Sequence, residues 1–258
     1  MPRFFISAVH MLPVSETMPL GGFSITGGDA RHIAFSLRMR QGDEITVCDM
    51  QKNVYRCVIC DFVRQGSAKE VSVTARILES HPSDTEPDYY AVLFQAMPKA
   101  GKLDIIIQKA VETGVSEIVP FISERCISRP DAESASKKQQ RWQKIAHEAA
   151  MQCGRACVPR VSQPVSFAQA VEAAARCDLA FLCYEGDGTR PLGQILTAAQ
   201  SPQTIGFLVG AEGGFSVEEV ETAHRAGLAK AGLGKRILRC ETASGFVLSC
   251  LTYRYDLQ

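Results

Sequence analysis

The sequence predicts an α/β protein in two parts, a small β-rich domain followed by a larger one in which strands alternate with helices. Three observations carry this. Three short segments rich in Val, Ile, Thr and Tyr occupy residues 44–78. From Tyr89 onward, apolar runs of strand length alternate with stretches of helical period. Between them lies a polar, proline-bearing stretch, His81-Pro82-Ser83-Asp84-Thr85-Glu86-Pro87-Asp88, with the composition of a linker. The predicted boundaries are 1–80 for the first domain, 81–88 for the linker and 89–258 for the second.

In the first domain, Glu44–Asp49, Val54–Val63 and Glu70–Leu78 read as strands, parted by the turn signals Gln41-Gly42-Asp43 and Gln65-Gly66-Ser67. A helix is predicted from Asp29 to about Met39, with Ile33, Leu37 and Arg40 roughly a turn apart. A small β-barrel with one helix is the simplest arrangement. In the second domain, Tyr89–Ala96 is a buried strand, and Lys102–Thr113 is a helix with Gly114 as its C-terminal cap. Val115–Phe121 is a strand, and Lys137–Gln152 is a helix with Trp142, Ile145, Ala146 and Ala149 on one face. Asp178–Glu185, Thr204–Gly210 and a short segment near Lys235–Arg239 add strands. The last helix opens at Glu241-Thr242 and carries Ala243, Val247, Leu248, Leu251 and Tyr255 at helical spacing. Strands separated by helices call for a parallel sheet covered on both faces.

Composition narrows the function classes. At 258 residues, with 46% hydrophobic and 22% charged residues, the chain has the balance of a soluble globular protein. No apolar run approaches the ~20 residues of a membrane span, and the proline-interrupted N-terminus fits no signal peptide, so a cytoplasmic location is expected. The ten cysteines are scattered without zinc-site spacing. Cys57 and Cys60, three apart in a predicted strand, face opposite sides, so reduced thiols in the core are expected. His147-Glu148 lacks the second histidine of a zinc-protease helix, and no metal is expected. Net charge is zero, yet residues 121–160 hold eight bases (Arg125, Arg129, Lys137, Lys138, Arg141, Lys144, Arg155, Arg160) against four acids (Glu124, Asp131, Glu133, Glu148), a local excess of +4. Such clustering fits phosphate contact or a solvated helix face.

The stretch LVGAEGGFSVEEVETA, Leu208 to Ala223, ends a buried strand on Gly210 and starts a helix at Ser216. Ser216 and Glu219 form a capping box. The loop lies at the carboxyl end of a parallel strand, where open α/β sheets bind ligands. A phosphate cradle is disfavoured, because the glycine spacing matches neither GxGxxG nor GxxxxGK[ST]. Glu212 would also face the phosphate at a cost of about 4 kcal/mol for 4 Å separation at an effective dielectric near 20. A neutral or cationic ligand suits the loop better. A second loop, AGLGKRILRCETASG from Ala231 to Gly245, repeats the arrangement. Two such loops can wall one small-molecule pocket, their glycines allowing the backbone to approach the ligand.

Four blocks, VGAEGGFS, LGKRILRCETA, QRWQKIAHEAAMQCGRACVPRV and KAGKLDIIIQKAVETGVSEIVP, resemble in order those of the RsmE family of 16S ribosomal RNA (uracil-N3)-methyltransferases, in the SPOUT superfamily. The N-terminal DARHIAFSLRMRQGDEI is similar to that family's PUA-like RNA-binding domain. Two positions depart from the pattern: Ala211 stands where proline is usual, and Met151 where glutamate is common. The resemblance implies a trefoil-knotted α/β domain, S-adenosylmethionine as cofactor, 16S ribosomal RNA of the 30S subunit as substrate and a homodimer. It further implies that Leu208, Gly210, Glu212, Gly213, Gly214, Leu233, Gly234, Ile237, Leu238, Arg239, Glu241, Thr242 and Ala243 belong to the cofactor loops.

Methylation at uracil N3 requires loss of the imide proton and stabilisation of charge developing on the base. N3 lies on the pairing edge, so the uridine must be unpaired or flipped out. Arg155, matching an arginine of the family block, is the expected active-site cation. Arg125 and Arg129, and in the first domain Arg3, Arg31, Arg38 and Arg40, are candidate RNA contacts. Arg239 serves the site or pairs with Glu241. The general base stays open between Glu212, Glu241 and hydroxide. A ribose 2′-O-methyltransferase of the same superfamily and a non-catalytic RNA-binding protein of this fold are the alternatives.

Overall fold

The computed structural model describes residues 1–7, 10–64, 70–99 and 101–258, with the backbone alone at positions 64 and 132. The predicted turn Gln65-Gly66-Ser67 lies outside the described residues. Two compact units form: the first takes Met1–Glu86 together with Met151–Val158, and the second Pro87–Ala150 with Pro159–Gln258. The division therefore falls inside the predicted linker. The segment 151–158 joins the first unit, which the linear sequence did not indicate.

The first unit is one six-stranded sheet. Its strands are β1 (Arg3–Phe5), β2 (Met11–Leu12), β3 (Gly22–Ile25), β4 (Glu44–Cys48), β5 (Asn53–Arg64) and β6 (Val71–Pro82), in the order β1-β4-β5-β6-β3-β2. β1 runs parallel to β4, and the remaining ladders are antiparallel. Alternation along β6 buries Val71, Val73, Ala75 and Ile77, as the period of two requires. Phe4 on β1 and Phe23 and Ile25 on β3 share one core with Ile45, Val47, Ile59 and Ile33, so the sheet curls around it. Among the described residues no ladder joins β1 to β2, so the barrel is not closed by hydrogen bonds. The helix is shorter than predicted. α1 (Gly27–Arg31) passes into one π-helical turn, His32–Ser36, and Arg38 at φ 54° takes the chain out of helix before Met39.

The second unit holds β7 (Tyr90–Ala96), α2 (Lys102–Glu112), β8 (Glu117–Ile122), α3 (Ala132–Cys153), β9 (Arg160–Val161), β10 (Val165–Ser166), α4 (Phe167–Ala174), β11 (Leu179–Cys183), β12 (Arg190–Pro191), α5 (Leu192–Ala198), β13 (Thr204–Val209), α6 (Val217–Arg225), β14 (Ala229–Gly232) and α7 (Cys240–Tyr255). The last three residues of α3 count with the first unit. The sheet order is β10-β8-β7-β13-β11-β14-β12, with β9 beside β8, and every pairing is parallel. Its central strands are buried on both faces, with Leu93, Phe94, Phe181, Phe207 and Leu208 almost fully enclosed. α2 buries Leu103, Ile106, Ile107, Ala110 and Val111, and Gly114 follows it at φ 90°. One predicted strand is displaced. The chain pairs at Ala229–Gly232, and Lys235–Arg239 is loop, because the pairing partners β11 and β12 are met by the smaller residues before the glycines. The ten cysteines are free thiols, with Cys57 buried and Cys60 half-buried.

Arg155, the expected active-site cation, is held in a buried ion pair. Its guanidinium is in the first unit, paired with Glu86 at 2.6 Å, and the two side chains are only 6% and 3% exposed. The Glu86 carboxylate also accepts from the amides of Ala156 and Cys157, at 2.8 and 3.1 Å. Arg3 completes the arrangement by donating to the Arg155 carbonyl at 2.8 Å. Burial pushes the Glu86 carboxyl up, but the Arg155 hydrogen bond and charge, with the two amides, hold it below its ordinary value. Glu86→Ala removes the carboxylate facing a buried cation and is expected to cost about 3–5 kcal/mol in chemical denaturation. Because the folded-state pKa is depressed, the contribution is complete above the ordinary value of 4.5 and fades as pH falls through the folded value. Wild-type stability is therefore expected to drop more steeply below pH 4.5 than that of Glu86→Gln, as measured by denaturant titration across that range.

Candidate active site

A cleft of about 470 Å³ opens at the carboxyl ends of β11, β13 and β14, built wholly from the second unit. One wall comes from the end of β13 and its turn (Val209–Glu212, Gly214 and Phe215), a second from the end of β14 and the loop up to Arg239, and a third from Cys183 at the end of β11 with Tyr184, Glu185 and Thr189 beyond it. Lys102, from the first turn of α2, and Cys240 and Ala243, from that of α7, close it. The sheet decides the location, since parallel strands end their ladders on the same edge.

Glycine at three positions is a packing requirement. A Cβ on Gly210 would stand 3.2 Å from the Gly214 Cα and from the Phe215 ring. One on Gly232 would stand 3.0 Å from Thr189 Oγ1, and Gly214 has φ 62°. Ser216 then caps α6, accepting from the Glu219 amide while Glu219 accepts from the Ser216 amide, the capping box expected from sequence. Glu219 also accepts from the Glu124 amide at 2.8 Å, tying the start of α6 to the end of β8.

The electrostatics differ from the expectation of a lone loop carboxylate. Lys102 Nζ lies 2.9 Å from Glu212 Oε1 and 3.5 Å from Glu241 Oε2. The Lys99 amide also donates to Glu212 at 3.3 Å. Desolvation raises the Glu212 carboxyl, but the Lys102 hydrogen bond, backbone amides and the ammonium charge outweigh it, leaving the pKa below its ordinary value. Glu241 is lowered by its own amide and by the Cys240 thiol, which donates at 3.1 Å. Burial and that same carboxylate push the Cys240 thiol up to about 12, so it stays protonated.

The predicted cofactor residues separate into wall and support. Gly210, Glu212, Gly214, Leu233, Gly234, Ile237, Leu238, Arg239 and Ala243 line the cleft. Leu208 is fully buried inside β13. Gly213 turns toward Arg125, whose guanidinium donates to its carbonyl at 3.0 Å. Glu241 acts through Lys102, and Thr242 is exposed on the first turn of α7, off the wall. Arg239 does not pair with Glu241: its carbonyl accepts from the Thr242 and Ala243 amides, and its side chain lines the cleft. Sequence reading missed Lys102 and the whole β11 loop. The available signal was a third strand, Asp178–Glu185, running into Gly186-Asp187-Gly188 at the same sheet edge.

The basic stretch is largely neutralised. Lys137, Arg141, Lys144 and Arg160 pair with Glu133, Asp104, Glu148 and Glu117, and Arg155 with Glu86. Arg129 donates to the carbonyls of Ser123, Glu124 and Cys126, locking the turn after β8. Arg31, Arg38 and Arg40 are exposed on the first unit, whereas Arg3 is partly buried on the Arg155 carbonyl. Among the described residues no group of three or more His, Cys, Asp or Glu is placed to hold a metal ion, and no helix is long and apolar enough to cross a membrane.

Comparison with known proteins assigns this architecture. Residues 85–252 match the RNA methyltransferase domain, and residues 25–60 match the RNA methyltransferase PUA domain. The fold is therefore that of an RNA methyltransferase with a PUA-like N-terminal part. The chain is 32% identical to ribosomal RNA small subunit methyltransferase E of Bacillus subtilis, over 100% of this chain and 98% of that one. It is 30% identical to the Synechocystis protein of the same name, over 95% and 77%. A crystal structure of ribosomal RNA small subunit methyltransferase E from Neisseria gonorrhoeae bound to S-adenosyl methionine superposes with TM-score 0.81 at 30% identity, covering 100% of both chains. The chain belongs to the ribosomal RNA small subunit methyltransferase E family.

Lys102→Met is expected to raise the Glu212 carboxyl toward its ordinary value, read from carboxyl-carbon NMR titration. An unmoved titration would assign the depression to the backbone amides alone.

Proposed function

We propose that this chain transfers a methyl group from S-adenosylmethionine to N3 of a uridine in 16S ribosomal RNA of the small subunit. The observation that carries the reading is the glycine-walled cleft at the ends of β11, β13 and β14, with carboxylates but no phosphate-binding fingerprint. Bound there, the cofactor supplies a methyl group on a cationic sulfur, ready for in-line displacement. The close approach at Gly210, Gly214 and Gly232 leaves backbone, not side chain, against the ligand.

The protein's part is placement and charge. Arg236 and Arg239 line the cleft and have no ion-pair partner among the described residues. They take the role first expected of Arg155, stabilising negative charge on the base as N3 loses its proton. Arg155 instead holds the segment 151–158 within the first unit. Glu212 and Glu241 are both engaged by Lys102, which makes them binding groups before proton acceptors. On the first unit the exposed Arg31, Arg38 and Arg40 grip RNA phosphates, in keeping with its PUA-domain match. Arg125, exposed beside Gly213 in the second unit, is a further RNA contact at the edge of the cleft.

The reading includes a trefoil knot in the second unit, supported by the resemblance of the sequence blocks. It includes a homodimer, supported by exposed Ile105 on α2 and Phe246 and Tyr253 on α7. A cytoplasmic location follows from the ribosomal substrate.

Incubation with labelled S-adenosylmethionine and under-methylated 30S particles, followed by nucleoside mass spectrometry, is expected to yield 3-methyluridine. Ribose-methylated nucleoside would overturn the assignment of the target atom, and no transfer would favour an RNA-binding role. Arg239→Gln is expected to lower kcat by about 100-fold, the scale of removing one transition-state donor. Arg155→Ala is expected to lower stability first.

A further inference from the structure

We infer that Glu185 is the side chain by which the cleft recognises the positive charge of the methyl donor. The inference rests on the S-adenosylmethionine reading of the cleft given above. Glu185 follows β11 and lines the cleft beside the β13 turn. Its Oε1 lies 3.2 Å from the point where a Cβ on Gly214 would stand, so the missing side chain at Gly214 makes room for the carboxylate.

The acids around the cleft differ in what already neutralises them. Glu212 has Lys102 at 2.9 Å and the Lys99 amide at 3.3 Å. Glu241 has Lys102 at 3.5 Å and the Cys240 thiol at 3.1 Å. Glu185 has no hydrogen-bond or ion-pair partner among the described residues. A carboxylate with an ammonium already in contact presents a weak dipolar field to a second cation, whereas an uncommitted one presents its full charge. The cations on the wall, Arg236 and Arg239, would repel a sulfonium and need an opposing negative charge. Glu185 supplies it. Glu212, the carboxylate most conspicuous in the sequence, is thereby left to position Lys102 and the turn.

Isothermal calorimetry of the full chain with S-adenosylmethionine and S-adenosylhomocysteine tests this, because the two ligands differ only in the methyl group and the sulfur's charge. Glu185→Gln is expected to weaken S-adenosylmethionine by about tenfold while leaving S-adenosylhomocysteine within about twofold. Glu185→Asp, which keeps the charge, is expected to restore most of the difference. Added salt is expected to erode the wild-type preference relative to the neutral ligand and to leave that of Glu185→Gln unchanged. Equal losses for both ligands would place Glu185 on a shared part of the donor and overturn the inference, as would no loss for either. Failure of the wild-type protein to bind either ligand would remove the cofactor reading itself, and this inference with it.

Discussion

The ammonium of Lys102, delivered by the first turn of α2, stands within reach of one carboxylate from the β13 turn and one from the start of α7, and the charge of the cleft follows from that position. Without it, two acids would face each other across a small volume and repel any arrangement of the loops that brought them together. With it, the end of β13 and the start of α7 are linked through a third element, and the glycines between them pack closely enough to form a wall.

This balance distributes roles that a linear reading assigns to single residues. Glu212 and Glu241 contribute by holding and being held. Arg236 and Arg239 keep their charge available because no carboxylate among the described residues claims it, and Glu185 does the same with the opposite sign. Uncommitted charges of both signs around one cleft suit a donor that is cationic at sulfur and an acceptor base that becomes anionic as it reacts. Elsewhere the bases are mostly satisfied: Arg129 by carbonyls, Arg141 and Arg160 by acids, Arg155 by Glu86. A surplus of positive charge along a sequence is thus a poor guide to which cation is free to act.

The first unit depends on a different local balance. Glu86, at its chain boundary, gathers Arg155 and two amides of the segment 151–158, so a stretch far away in sequence completes the domain's packing. Ala156 is buried with Cys48 and Val54 in a small apolar cluster beside it. A buried ion pair of this kind costs desolvation and returns specificity of placement.

The periodicities of Leu93 and Phe94, of Ile106 and Ile107, and of Trp142 and Ala146 are local properties, and they determined strands, helices and the parallel class without help from the fold. The capping box at Ser216 and Glu219 and the glycine turns likewise lie within a few residues of their partners, which is why the glycine turn after β13 was legible from the chain alone. Lys102, Glu185 and the pairing of Arg155 with Glu86 were not, because each depends on groups tens of residues away meeting at a strand edge or inside one folded unit. The strand at Ala229–Gly232, set by its neighbours β11 and β12 and not by the apolar pair Ile237-Leu238, belongs to the same class. Sequence determined which segments form strands, helices and glycine turns. Tertiary structure decided which charges cancel and which remain, since Coulomb energy depends on distance through space and is indifferent to separation along the chain.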